Sequence, residues 1–284
     1  MKEIRLCAFA DEASASLEGQ IKALNKNAIP YLEVRGINGK NVANFTSEET
    51  KEYNRCLKDN GVSVWSIGSP LGKVDIGVDF NEYKNTVKRV CETANLFECD
   101  KIRMFSFFHA YNERNKVMDY LAQMVEIGNE FGVKMYHENE KDIYGDIAER
   151  VQDIVNTVKG LEFIYDPANY LQCGENSEKT LSAFHSLTGY FHIKDVIAET
   201  GQLVPAGYGD GNIKKLVEMI DGNKVLTLEP HLAVFEGYSS IDNSEMKNKF
   251  CYSSNEEAFD SAVNALKDIL VGAGYASIGT KFVK

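Results

Sequence analysis

Short runs of apolar, β-branched and aromatic residues alternate along this chain with longer stretches whose apolar positions recur at helical spacing. The short runs cover residues 4–9, 31–35, 62–67, 101–106, 133–138, 161–166, 190–194 and 225–229, and their length and residue types predict eight strands. Helices are predicted between them over 17–27, 47–60, 81–97, 116–131, 145–159, 178–185 and 213–220, with a last one over 255–271. In that last helix Ala258, Phe259, Ala262, Ala265, Leu266 and Ile269 make one apolar stripe. Local signals agree: Thr46 precedes Glu48 and Glu49 as a helix start, and Asn60–Gly61 and Phe131–Gly132 read as helix stops.

Strand starts recur at intervals of about 30 residues, and strand-then-helix repeated eight times is the pattern of a (β/α)8 barrel. A doubly wound open sheet would carry a phosphate loop after its first strand. Here Phe9, Ala10, Asp11 and Glu12 follow instead, with no glycine fingerprint. No Pro, Gly or Ser cluster divides the chain, so residues 1–284 are read as a single barrel domain. One connection stands out. Residues 231–254, before the last helix, far exceed the roughly 2–6 residues usual for such loops. They are expected to cover the barrel mouth as a lid or to form an oligomer contact, with Phe235 and Tyr238 as apolar cover.

Composition narrows the functional classes. With 44% hydrophobic residues, 26% charged residues and 5 prolines, the chain can bury a large core, which excludes disorder. A formal net charge of −11 repels a phosphate backbone and disfavours nucleic-acid binding. No apolar run approaches the ~18 residues needed to span a bilayer, and the N-terminus has no secretory core, so a cytoplasmic location without membrane association is expected. The 6 cysteines are scattered without a C-x-x-C pair and are expected as reduced thiols packed in the core.

In a barrel of this kind the strand C-termini and the loops after them build the active site. Side chains alternate between the two faces of a strand, so parity sorts the polar residues there. Val133, Met135 and His137 share the outward face of the fifth strand, which leaves Glu138 inward. The same rule turns Asp166, His192 and Glu229 inward on the next three strands, together with Lys194. Three carboxylates converging with one imidazole would raise one another's pKa values unless a cation neutralised them. Oxygen donors with one nitrogen suit Mn2+ or Mg2+, with Co2+ and Zn2+ as alternatives. His109 and His231 lie in mouth loops and are candidates for substrate contact, as is the inward Arg35, although salt-bridged barrel layers explain Arg35 and Arg103 equally. The glycines at 207, 209 and 211 precede a helix start and could offer amides to an anion, although a simple turn needs the same glycines.

At these residues the sequence resembles the xylose isomerase-like sugar phosphate isomerase/epimerase superfamily, a divalent-metal TIM-barrel group. The similarity spans nearly the whole chain. It is carried by Glu138-Asn139-Glu140, Tyr144-Gly145-Asp146, Asp166-Pro167-Ala168-Asn169, His192-Ile193-Lys194-Asp195, residues 207–211 and Glu229-Pro230-His231-Leu232. The resemblance implies metal binding by Glu138, Asp166, His192 and Glu229, with the two glutamates serving also as acid/base groups. Ketose 3-epimerases acting on free sugars have a His three residues after the metal Asp and an Arg six after the metal His; this chain has Asn169 and Ala198 there. The His192-x-Lys194-Asp195 pattern resembles pentulose-phosphate epimerases and inosose dehydratases of the same superfamily.

The expected activity is a metal-dependent isomerase or epimerase of a keto sugar or sugar phosphate, with an enediolate intermediate. Glu138, Glu229 and Lys194 are its catalytic candidates, and Asn169, Arg35, His109 and His231 the substrate contacts. An inosose-type dehydratase and a catalytically silent sugar-binding barrel are the alternatives. The expected partner is a small sugar, with homo-oligomer formation open.

Overall fold

Strand β1 (Glu3–Ala8) pairs in parallel with β2 (Tyr31–Val34) on one edge and with β8 (Asn223–Leu228) on the other, which closes the barrel. The computed structural model describes residues 2–234 and 251–284. Between β2 and β8 run β3 (Ser63–Ile67), β4 (Lys101–Met104), β5 (Lys134–Glu138), β6 (Glu162–Tyr165) and β7 (Thr188–Ile193), each parallel to its neighbours. The chain is therefore a (β/α)8 barrel. Helices α1 (Leu17–Lys26), α2 (Ser47–Asp59), α3 (Phe80–Leu96), α4 (Arg114–Glu130), α5 (Ala148–Thr157), α6 (Ser177–Phe184), α7 (Ile213–Met219) and α8 (Asn255–Gly272) surround it.

Strand alternation divides the interior in two. Outward residues such as Phe163, Tyr165, Phe191, Ile193, Leu226 and Leu228 join the large core between strands and helices. Inward residues Cys7, Tyr136, Ile164, Tyr190 and Val225 pack into a small apolar layer inside the barrel. Burying each large side chain contributes roughly 1.5–3 kcal/mol, so this alternation fixes the register firmly. The apolar layer fills the lower barrel and leaves the strand C-termini free for polar groups.

Local rules operate as expected at the helix ends. Thr46 Oγ1 accepts from Glu49 N while the Glu49 carboxylate accepts from Thr46 N, a complete capping box. Gly132 takes φ 71° just past α4, where a Cβ would be strained. The predicted helix 145–159 starts later, at Ala148, behind a 3-10 turn, Tyr144–Asp146. The reason is contact: a Cβ on Gly145 would lie 2.5 Å from His137 Cε1, and its backbone N–H is given to Ser106 Oγ.

Further elements were not foreseen. A short helix, Pro167–Gln172, follows β6 directly, and a hairpin pairs Asp195–Ile197 with Gln202–Val204. A C-terminal hairpin lays Lys281–Val283 antiparallel to Glu3–Arg5. It takes the lower part of the β1 edge that β2, pairing only at Cys7 and Ala8, leaves open. Among the cysteines Cys7, Cys91 and Cys99 are buried and Cys56 and Cys173 half-buried, but Cys251 is exposed, contrary to the expectation of core packing. Phe235 and Tyr238 of the expected lid lie outside the described residues. No helix among the described residues is long and apolar enough to cross a membrane.

Candidate metal centre

Four consecutive strands deliver the site. Glu138 closes β5, Asp166 follows β6, His192 lies on β7 and Glu229 follows β8, and one ligand atom from each falls within 4.8 Å of all the others. All four are at most 2% exposed. His192 Nδ1 stands 2.9 Å from Glu138 Oε1 and 3.1 Å from Glu229 Oε2. Asp166 is held by its neighbours on both sides: its Oδ1 caps the short helix by accepting from Asn169 N, and its main chain exchanges two bonds with the Asn139 side chain. This leaves Oδ2 turned to the cluster.

A ring of cations grips the carboxylates. Arg103 Nη1 lies 3.1 Å from Glu138 Oε2 and 3.5 Å from Glu229 Oε1, and Arg35 Nη1 lies 3.0 Å from Glu229 Oε1. Lys194 Nζ is 3.0 Å from Asp166 Oδ2 and 3.9 Å from Glu229 Oε2. Burial raises the Asp166 carboxyl to about 7, with Lys194 opposing and Glu138 and Glu229 adding to the rise. For Glu229 burial also works upward, but Lys194 and His192 overcome it and hold the carboxyl well below its ordinary range. Burial disfavours the His192 imidazolium, yet the Glu138 and Glu33 carboxylates dominate and keep its pKa well above the usual value.

These residues fit a divalent cation. Although each faces a cation, Asp166 Oδ2 and Glu229 Oε2 are buried oxygens that accept no hydrogen bond of acceptable geometry. Three carboxylates and an imidazole make a mainly hard donor set, as oxygen-preferring divalent ions require.

The other sequence-predicted residues divide. Arg35 joins the cluster and also holds Asp11 with two bonds of 2.9 Å. His231 Nε2 lies 3.6 Å from Glu229 Oε1 and 3.4 Å from Glu12 Oε1, in the second group of possible ligands, Glu12, Glu229 and His231. Burial pushes the Glu12 carboxyl up to about 8 despite Arg35. Asn169 Nδ2 donates to Asn139 O and reaches Glu138 Oε1 at 3.4 Å, while its buried Oδ1 accepts no hydrogen bond. His109 is not brought in. Its side chain is 83% exposed and paired with Asp75 at 2.6 Å, because the backbone there turns through φ 55° and carries the ring outward. The 207–211 loop does not offer its amides to an outside anion either, since Gly207, Gly209 and Gly211 all donate to the Asp195 carboxylate.

Glu33 was missed as a site residue. Its Oε2 meets His192 Nε2 at 3.1 Å, and its Oε1 accepts from Tyr190 Oη at 2.9 Å. The signal was its inward parity with Arg35 on the second strand. The spacing could not tell which strand across the barrel it would meet.

Residues 22–246 match the family model described as xylose isomerase-like TIM barrel, and the chain belongs to that family. None of the curated proteins matches it in sequence. Among solved structures it is similar to a D-psicose 3-epimerase determined in the presence of D-fructose, with TM-score 0.73 and 14% identity over 95% of this chain and 99% of that one. It is similar to the IOLI protein with a bound zinc atom, with TM-score 0.70 and 18% identity over 95% and 99%. It is also similar to the probable 3-DHS dehydratase AsbF of Bacillus anthracis, with TM-score 0.68 and 16% identity over 94% and 99%. At these identities the likeness is one of fold.

Proposed function

We propose that the protein is a divalent-metal-dependent isomerase or epimerase of a keto sugar or sugar phosphate, acting through an enediolate. The observation that carries this reading is the convergence of Glu138, Asp166, His192 and Glu229 within 4.8 Å at the barrel mouth, with Asp166 Oδ2 and Glu229 Oε2 in ion-pair contact but without a hydrogen bond of good geometry. A divalent ion held there, Mn2+ or Mg2+ by donor type, would supply Lewis-acid polarisation of a carbonyl and offset charge on the enediolate oxygens. That the IOLI protein carries a zinc atom on a similar fold supports a bound metal ion.

The chain's own groups do the rest. One of Glu138 and Glu229 takes the proton from the carbon beside the carbonyl, and the other returns one, to the opposite face for epimerisation or to the neighbouring carbon for aldose–ketose exchange. They stand on β5 and β8 with two strands between them, so they approach a planar intermediate from different directions. Asp166 and His192 would hold the metal. Lys194, 5% exposed on its side chain and kept protonated because Asp166 and Glu229 outweigh its burial, neutralises oxyanion charge. Among the substrate candidates, Arg35 and His231 stay at the site, while Asn169 positions Glu138.

Incubation of the Mn2+-loaded protein in D2O with ketoses, ketose phosphates and an inosose tests the reading. Deuterium entering a sugar whose carbon skeleton is retained is the expected result. Loss of water without isomerisation would instead make it a dehydratase, and exchange with none of the sugars would leave a binding barrel.

A further inference from the structure

We propose that the barrel mouth takes an uncharged polyhydroxy carbonyl compound and discriminates against its phosphate ester. The proposal rests on reading the site as one for a keto sugar, and narrows that reading to one chemical class.

The first argument is charge. Among the described residues, each cation that reaches the cluster or the carboxylate beside it is already committed. Arg35 is held by Asp11, by Glu12 at 3.3 Å and by Glu229 at 3.0 Å. Arg103 is shared by Glu138 and Glu229, Lys194 by Asp166 and Glu229, and Lys73 lies 2.9 Å from Glu140. With Glu33 added, seven buried carboxyl groups stand among four Lys and Arg side chains and the His192 imidazole. Among the described residues a divalent ion, bound against a deprotonated His192, offsets two charges and leaves no positive surplus to receive a phosphate dianion.

The second argument is the loop that looked suited to an anion. Gly207 and Gly209 donate to Asp195 Oδ2 at 2.8 and 3.1 Å, and Gly211 and Val196 to its Oδ1 at 2.8 and 2.9 Å. A Cβ on Gly209 would lie 2.5 Å from Asp195 Oδ1. The glycines are therefore present so that the backbone can wrap the chain's own carboxylate. An incoming phosphate would have to displace a 1% exposed group bound by four amides. The α7 start beyond the loop offers nothing more, since the helix has 7 residues and Asn212 before it is left-handed at φ 55°.

The test is binding of ketopentoses and ketohexoses, each beside its terminal phosphate, to the Mn2+-loaded protein by titration calorimetry, with deuterium exchange followed separately. The expected result is that any sugar that binds does so as the free form, with its phosphate weaker by about 100-fold or more, as unfavourable charge juxtaposition predicts. A phosphate ester bound as tightly as its parent sugar, or no binding by any free sugar, overturns the proposal. Preferential binding of free sugars without deuterium exchange would uphold it while refuting the isomerase reading. In a second arm, the amide resonances of Gly207, Gly209 and Gly211 should not respond to inorganic phosphate in the wild-type protein and should respond in Asp195→Ala. A response in the wild type would itself overturn the proposal, whether or not the variant folds.

Discussion

Glu33 Oε2 lies 3.1 Å from His192 Nε2 across the barrel, while the other nitrogen of the same ring faces Glu138. The imidazole is thus gripped from both sides. When its Nδ1 proton leaves, the proton kept on Nε2 by Glu33 fixes the tautomer whose Nδ1 lone pair points into the carboxylate cluster. Tyr190, also bonded to Ser66, anchors Glu33 in turn.

Glu33→Gln should therefore weaken metal binding without touching any proposed ligand. Loss of such an outer partner typically costs about 10- to 100-fold in metal affinity. Mn2+ titration calorimetry on the wild type and the variant measures it, and unchanged affinity would show that Glu33 does not orient His192.

Metal binding should strengthen with pH. Burial raises Asp166 to about 7, and Glu138 and Glu33 keep His192 protonated above its ordinary range, so below neutrality a cation has to displace both protons. Each proton displaced weakens apparent affinity by about tenfold per pH unit while that group remains protonated in the metal-free protein. The rise in Tm on adding Mn2+ should be larger at pH 8 than at pH 6; equal shifts would contradict the coupling.

The acid/base assignment separates two kinds of variant. Glu138→Gln and Glu229→Gln keep an oxygen donor and similar volume, so metal should be partly retained while turnover falls by roughly 10²- to 10⁴-fold. Asp166→Ala should lose metal first and activity with it. Near-normal turnover in both Gln variants with metal bound would move the proton transfer to Lys194 or another group.

Lys194→Met should destabilise the metal-free protein. It leaves Asp166 and Glu229 buried beside each other with one cation fewer, and breaking a buried ion pair costs about 3–5 kcal/mol. Urea unfolding with and without Mn2+ should show that the metal recovers part of this loss. A variant as stable as wild type without metal would mean that the lysine carries no such load.

Much of the site was legible because strand parity is a local rule. Once residues 133–138 are read as a strand with Met135 and His137 outward, Glu138 has only the interior left, and the same logic turns Asp166, His192 and Glu229 to it. His109 points away from the cluster, its direction set by left-handed backbone at Phe107 and His109, which no alternation describes. The 207–211 loop was left open between an anion site and a simple turn for a related reason: glycines announce close approach of backbone to something, and here that is Asp195.

The sequence by itself determined eight strands and eight helices in order, the inward face of the fifth to eighth strands and so the identity of the four converging side chains, since periodicity and parity depend only on near neighbours. Tertiary structure alone decided the partners across the barrel. Glu33 reaches His192 over 159 positions and Arg35 reaches Glu229 over 194, because closure of β8 on β1 sets opposite walls side by side. Which cation neutralises which carboxylate, and which amides are already taken, are consequences of that closure.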